Sequence, residues 1–218
     1  MSTIILFASR KGGAGKSTIC TNLAAALANH GEIPLLFDAD EQTTSSDWCA
    51  DRLADYPDAP TILNRQDYGE VDGLLESLDN TYILCDTAGH SSIEMRSALV
   101  VADILLCPFK TSQADLNTMP YMAAIVSEAQ TINPKLKALA FITMAPPNPK
   151  MKAIEQARSL IAEYPEFTLL DTVIYYRDAY VSSIGCGLGV MELQDNSPSA
   201  LKAINEIDSL LQEVNNHG

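Results

Sequence analysis

Apolar residues along this chain form short, nearly unbroken runs, separated by longer stretches in which they recur every third or fourth position. The runs predict strands at Thr3–Ala8, Ile33–Phe37, Tyr82–Cys85, Asp103–Cys107, Leu139–Thr143 and Thr168–Ile174. Their continuity is what a sheet covered on both faces requires. A weaker strand is expected near Thr61–Leu63. Between the strands, Ile19, Leu23 and Leu27 recur at helical spacing, and Gly31 stands where a left-handed cap closes such a helix. Met119, Met122, Val126 and Ala129 form a second stripe, with Pro120 tolerable in its first turn. A final helix opens with Ser197 as N-cap and Pro198 at its first position, and is expected to bury Leu201, Ile204, Leu211 and Val214. The short Pro-rich stretch Ala145–Pro149 reads as a loop. Strand and helix alternate without a long linker. The expected fold is therefore α/β, a single doubly wound domain over residues 1–218 with a mostly parallel sheet and helices on both faces.

Composition narrows the class. The chain is 47% hydrophobic and 19% charged, a globular balance. No apolar run approaches the roughly 18–20 residues that cross a bilayer. Met1–Phe7 has no basic lead and reads as a strand, not a signal peptide, so a cytoplasmic location is expected. The five cysteines lie far apart with no C-x-x-C pair, which argues against zinc and against a disulfide frame. Cys85 and Cys107, at predicted strand ends, read as small buried hydrophobes. His30 and His90 have no metal-ligand spacing to support a role. With 14 basic and 28 acidic residues the net charge is −14, so nucleic acid is repelled by the molecule as a whole. Any DNA contact must use a local, salt-sensitive patch.

The first strand runs into Ser9-Arg10-Lys11-Gly12-Gly13-Ala14-Gly15-Lys16-Ser17-Thr18, and helical spacing begins at once. This is a P-loop context. Glycines let successive N–H groups point at phosphate oxygens, and the helix N-terminus adds its dipole. Lys16 is placed for the β- and γ-phosphates and the Ser17 hydroxyl for Mg²⁺. The common pattern G-x-x-x-x-G-K-[ST] has glycine where this chain has Arg10; the chain satisfies K-G-G-x-G-K-[ST] instead. That motif resembles the deviant Walker-A ATPases, the ParA/MinD group. The resemblance implies ATP bound along Lys11, Gly12, Gly13, Ala14, Gly15, Lys16, Ser17 and Thr18. It also implies that Lys11 reaches across a sandwich dimer to the partner's phosphates, in the manner of an arginine finger. The bland alternative is a loop lysine beside its own nucleotide.

Two acidic motifs follow. Leu35–Phe37 leads into Asp38-Ala39-Asp40-Glu41-Gln42, similar to the family's D-x-D-P-Q segment with Glu41 in place of proline. By resemblance Asp38 supports the Mg²⁺ shell and Asp40 orients or activates the attacking water. Asp40 also reads as the N-cap of a helix starting near Thr43. The strand Tyr82–Cys85 ends at Asp86-Thr87-Ala88-Gly89, a Walker-B pattern that holds Mg²⁺, usually through water. Its small residue and glycine resemble the short ParF-like plasmid partition branch and the VirC-type conjugation proteins. Leu106–Ser112 is similar to the family segment that carries switch and dimer contacts. By resemblance Thr143 approaches the adenine, and Arg177 touches the base or DNA.

The resemblance implies a slow, partner-stimulated ATP hydrolase, not a metabolic catalyst. It dimerises on ATP and positions or segregates DNA, as in plasmid partition, through ATP-gated non-specific DNA binding at the nucleoid. The stimulating partner is of the centromere-binding or adaptor type. Candidate DNA contacts are Lys135, Lys137, Lys150, Lys152 and Arg158, with Arg177 able to join them spatially. A solvated surface with scattered lysines is the bland alternative. The final helix offers Lys202 against Glu206, Asp208 and Glu213, which argues against membrane docking. The competing function is an ATP-switched adaptor that recruits a protein or conjugation complex without touching DNA directly.

Overall fold

A computed structural model describes residues 2–89, 92–147 and 151–217. Its sheet has seven strands in the order β3-β2-β4-β1-β5-β6-β7. They are β1 (Thr3–Phe7), β2 (Leu35–Ala39), β3 (Leu63–Gln66), β4 (Tyr82–Thr87), β5 (Ile104–Phe109), β6 (Lys137–Ala145) and β7 (Thr168–Tyr175). Every neighbouring pair is parallel. The expected doubly wound α/β sheet is what forms.

Alternate residues of β1 feed opposite layers. Ile4 and Leu6 pack with α4 (Ile93–Val101), α6 (Met119–Ile132) and α7 (Met151–Ile161). Ile5 and Phe7 pack with α1 (Lys16–Asn29), α2 (Thr44–Asp55), α8 (Asp178–Gly185) and α9 (Pro198–His217). Short helices α3 (Asp72–Glu76) and α5 (Gln113–Leu116) complete the set among the described residues. Burial on both faces explains why these strands carry continuous apolar runs. Cys85 and Cys107 are fully buried in this core, as their strand-end positions suggested.

Local punctuation follows the sequence closely. Gly31 has φ +91° just past α1, and the Ser197 hydroxyl accepts from the Ala200 N–H at the start of α9. The differences lie at strand edges and on helix faces. β2 begins at Leu35, leaving Ile33 outside and 55% exposed. The weak strand sits at Leu63–Gln66, later than expected, as an exposed edge. On α9 the buried stripe is Ala200, Ala203, Ile207, Leu210, Leu211 and Val214, while Leu201 is 48% exposed. Small alanines face the sheet because the helix lies close to it; a leucine counted by size alone points the wrong way. Of the Pro-rich loop, Ala145 belongs to β6, and Asn148 and Pro149 lie outside the described residues.

The chain winds to one side of β1 through β4, β2 and β3, and to the other through β5, β6 and β7. The carboxyl end of β1 is thus the switch point of the sheet, where a crevice opens for ligands.

Candidate nucleotide site

The loop from β1 to α1 fills that crevice. Gly13 (φ +71°) and Gly15 (φ +83°) adopt left-handed backbone, which turns successive N–H groups toward one side. Gly15 caps α1 without any side-chain hydrogen bond, and the first turn holds no acidic residue. The orphan amides at this helix end are therefore left for an external anion. A cavity of about 610 Å³ lies over them, lined by Gly12, Gly13, Gly15, Lys16, Ser17 and Thr18 from the loop. Ala14 is fully buried beneath it. Asp40, Glu41, Gln42, Ala88, Gly89, Ser92 and Glu94 form the opposite wall.

The two loop lysines part company. Lys16 is 6% exposed and forms part of the cavity wall. Lys11 is exposed, and its ammonium donates to the Ala114 carbonyl of α5 at 2.5 Å. Arg10 is spent elsewhere, its guanidinium 4.1 Å from the centre of the Tyr121 ring.

Strand pairing brings the acidic residues together. Asp38 and Asp86 are register partners on β2 and β4, and both are fully buried. Asp38 uses Oδ1 to accept from the Asp40 N–H at 3.1 Å and Oδ2 to accept from the Ser46 N–H at 2.7 Å. It is thus Asp38 that caps α2. Asp40 lies in the cavity wall, and its Oδ1 accepts from the Gln42 N–H at 3.0 Å, which removes its reading as the helix cap. Burial raises the Asp38 carboxyl, against the opposing pull of the Asp40 and Ser46 amides.

Asp86 carries an open valence. Its Oδ2 accepts from the Ser45 hydroxyl at 2.7 Å, while Oδ1 is buried without a hydrogen-bond partner among the described residues. Burial pushes this carboxyl up to about 6, opposed by the Ser17 and Ser45 hydroxyls and by Lys16. An orphan carboxylate oxygen near the Ser17 hydroxyl and a phosphate cradle fits Mg²⁺, which takes few protein ligands and keeps its waters. Among the described residues no cluster of His, Cys, Asp or Glu makes a closed metal cage, and Asp38, expected to support the Mg²⁺ shell, has both carboxylate oxygens on backbone amides.

A pH dependence follows from Asp86. Its folded value near 6 lies above the unfolded range, so the folded chain holds a proton that the unfolded chain releases. The resulting stability is complete below about pH 4 and is lost as pH rises through about 6. Asp86→Asn is expected to raise the melting temperature of the ligand-free chain at neutral pH by roughly 5 °C. It is also expected to flatten the pH profile; thermal unfolding in a buffer series checks both.

Three contacts of the site were not read from the sequence. Ser45 ties α2 to Asp86. Gly89 packs against the loop so closely that a β-carbon there would stand 2.7 Å from the Gly12 nitrogen. Lys110 also reaches the loop, its ammonium 3.6 Å from where a Gly13 β-carbon would sit. The sequence singled out the glycine of Asp86–Gly89 and the segment Leu106–Ser112 but not their contacts with the loop, and nothing local points to Ser45.

Beside the loop, a smaller cavity of about 120 Å³ is lined by Gly15, Thr18, Thr143, Met144, Tyr176 and Arg177, with Ile174, Tyr180 and Val181 behind. Thr143 is buried against Gly15, and Met144 takes φ +49° at the strand end. Arg177 is held by Glu206, with Nε donating to Oε1 at 2.9 Å.

Among the described residues, the candidate DNA contacts do not all lie on one face. Lys135 and Lys137 lie at the amino end of β6, whereas Lys152 is in the first turn of α7, beyond its carboxyl end. With 9 residues, β6 separates its ends by about 26 Å. Lys137 donates to the His217 carbonyl. Arg158 donates to the Leu170 and Asp171 carbonyls, at 3.3 and 2.5 Å, and Arg177 is engaged by Glu206. Lys150 and His90 lie outside the described residues. The length of β6 thus sets Lys135 and Lys137 at one end of the sheet and Lys152 at the other.

The VirC1 protein family model matches residues 1–215, nearly the whole chain. The chain belongs to the VirC1 protein family. It is 28% identical over 203 residues to the maintenance of carboxysome distribution protein A of Halothiobacillus neapolitanus, with 92% of each chain covered. The cell division ATPase MinD of Pyrococcus furiosus superposes with a TM-score of 0.75 at 20% identity, over 100% of both chains. Cyanothece McdA in complex with ATP gives 0.74 at 15% identity, covering 98% of this chain and 96% of that one. The resemblance to the ParA/MinD group and to VirC-type proteins stands, and this VirC1-family chain shares the P-loop fold of the partition and positioning ATPases. Among its described residues no helix is long and apolar enough to cross a membrane.

Proposed function

We propose that this VirC1-family chain is a dimerising ATP switch that binds Mg·ATP and positions a cargo, with slow hydrolysis stimulated by a partner protein. The observation that carries the reading is the split between the two loop lysines: Lys16 buried in the cavity wall, Lys11 exposed outside it. One is placed for the chain's own triphosphate. The other has its ammonium on a helix carbonyl at the surface, free to exchange that neutral acceptor for the anionic phosphates of a second copy. A charge delivered by assembly acts as an arginine finger does, contributing roughly 10³–10⁵-fold to turnover. Asp40 orients the attacking water from the cavity wall, while Ser17 and Asp86 hold Mg²⁺ and Asp38 fixes the segment between them. The ATP-bound McdA neighbour supports nucleotide binding here.

For the cargo, the first reading is DNA segregation by ATP-gated non-specific binding, with dimerisation doubling the phosphate contacts. A second reading, an ATP-switched adaptor that recruits a protein assembly, is favoured by the dispersal of the candidate cations and by the internal partners of Arg158 and Arg177. Membership beside VirC1 and the carboxysome distribution protein supports it. Co-sedimentation with non-specific DNA, with and without a slowly hydrolysed ATP analogue, separates the two. Retention that requires the analogue and fades as salt rises is expected for direct binding; no retention even at low salt leaves the adaptor.

A further inference from the structure

The phosphate loop receives a cation from a neighbouring strand. Lys110 directly follows β5, and β5 pairs with β1, whose carboxyl end opens the loop. The Lys110 ammonium lies 3.6 Å from the position of a β-carbon on Gly13. Gly13 has φ +71° and no side chain, so the ammonium meets bare loop backbone. The stem is anchored: the Lys110 N–H donates to buried Asp115 Oδ1 at 3.4 Å, and the Ser112 hydroxyl accepts from the Asp115 N–H.

What the ammonium lacks is a counter-ion. Lys110 is half-buried, and among the described residues none of the ion pairs includes it. In a chain with 28 acidic and 14 basic residues, a partly desolvated cation without a carboxylate is a costly placement unless an anion arrives. The other cations of the loop are already disposed, Arg10 over Tyr121, Lys11 on Ala114 and Lys16 in the cavity.

We propose that Lys110 is a phosphate-binding residue supplied by the same chain, contacting the β-phosphate that the Gly13 segment of the loop cradles. Glycine-rich loops of this kind hold the α- and β-phosphates with their amides, which is where a cation beside Gly13 can act. The proposal rests on the nucleotide reading above and adds a residue to it. It differs from Lys11 in a measurable way. A cation from the same chain acts in the monomer and on a β-phosphate, so it strengthens ADP and ATP binding alike.

The experiment titrates fluorescent ADP and ATP analogues, with Mg²⁺, into wild type, Lys110→Gln, Lys110→Arg and Lys16→Ala at concentrations where the chain is monomeric. Lys110→Gln is expected to weaken both nucleotides about tenfold, near 1.4 kcal/mol. Lys110→Arg is expected to retain most of the affinity, and wild type to lose affinity with salt more steeply than Lys110→Gln. The unfolding temperature of ligand-free Lys110→Gln is expected to equal or exceed that of wild type, so its loss of affinity is not a loss of fold. Unchanged ADP and ATP affinity in Lys110→Gln, with binding lost in Lys16→Ala, would overturn the role of Lys110 alone. Equal losses in the Gln and Arg variants, or a loss confined to ATP, would overturn it too. Full binding in Lys16→Ala would overturn the nucleotide site itself.

Discussion

Lys16→Ala is expected to lose ATP binding by at least about a hundredfold and, with it, the ATP-dependent dimer. Lys16 is the first residue of α1, where uncapped helix amides already favour an anion. It is 6% exposed in the cavity wall, so its charge acts with little solvent screening. A charge-assisted hydrogen bond in such a place is worth about 1.5–3 kcal/mol, and a triphosphate offers it more than one acceptor. Among the described residues no other cation lines this cavity, and Lys110, beside Gly13, stands outside its wall. Nucleotide titration reads the affinity, and light scattering after size exclusion reads the dimer. A Lys16→Ala chain that still dimerises on ATP would show that the phosphates lie elsewhere.

Asp40→Ala is expected to separate assembly from chemistry: ATP still binds and the dimer still forms, while phosphate release falls by about 10²–10⁴-fold. Asp40 sits opposite the loop, half-exposed, where an attacking water can enter. Its carboxylate makes one hydrogen bond to its own turn, at the Gln42 N–H. The α2 cap belongs to Asp38, so truncating Asp40 leaves the helix and the Asp38–Asp86 pair in place. The variant is therefore a test of mechanism and not of folding. Unchanged phosphate release, measured as single turnover in the dimer, would remove Asp40 from the reaction.

Much of this was legible beforehand for one reason: the phosphate loop is contiguous. Residues 9–18 carry the turn glycines, the buried lysine and the Ser17 hydroxyl in a single stretch between a strand and a helix. Local backbone chemistry alone specifies such a loop. Asp86 was legible because a continuous apolar strand ending in aspartate places that carboxylate at the ligand end of the sheet. The cation patch misled for the opposite reason. Lys137 and Lys152 are near in sequence, yet the whole length of β6 stands between them.

The sequence by itself determined the winding of the fold and the chemistry of the loop, because hydrophobic period and glycine positions act over a few residues. The tertiary structure alone decided which distant side chains meet that loop. Strand order sets Asp38 beside Asp86, brings Gly89 within contact of Gly12, and carries Lys110 from β5 to Gly13. Helix α5 offers the carbonyl that holds Lys11. These meetings depend on which strands pair, and strand order is a property of the packed sheet, set by burial on both faces, not of any segment within it.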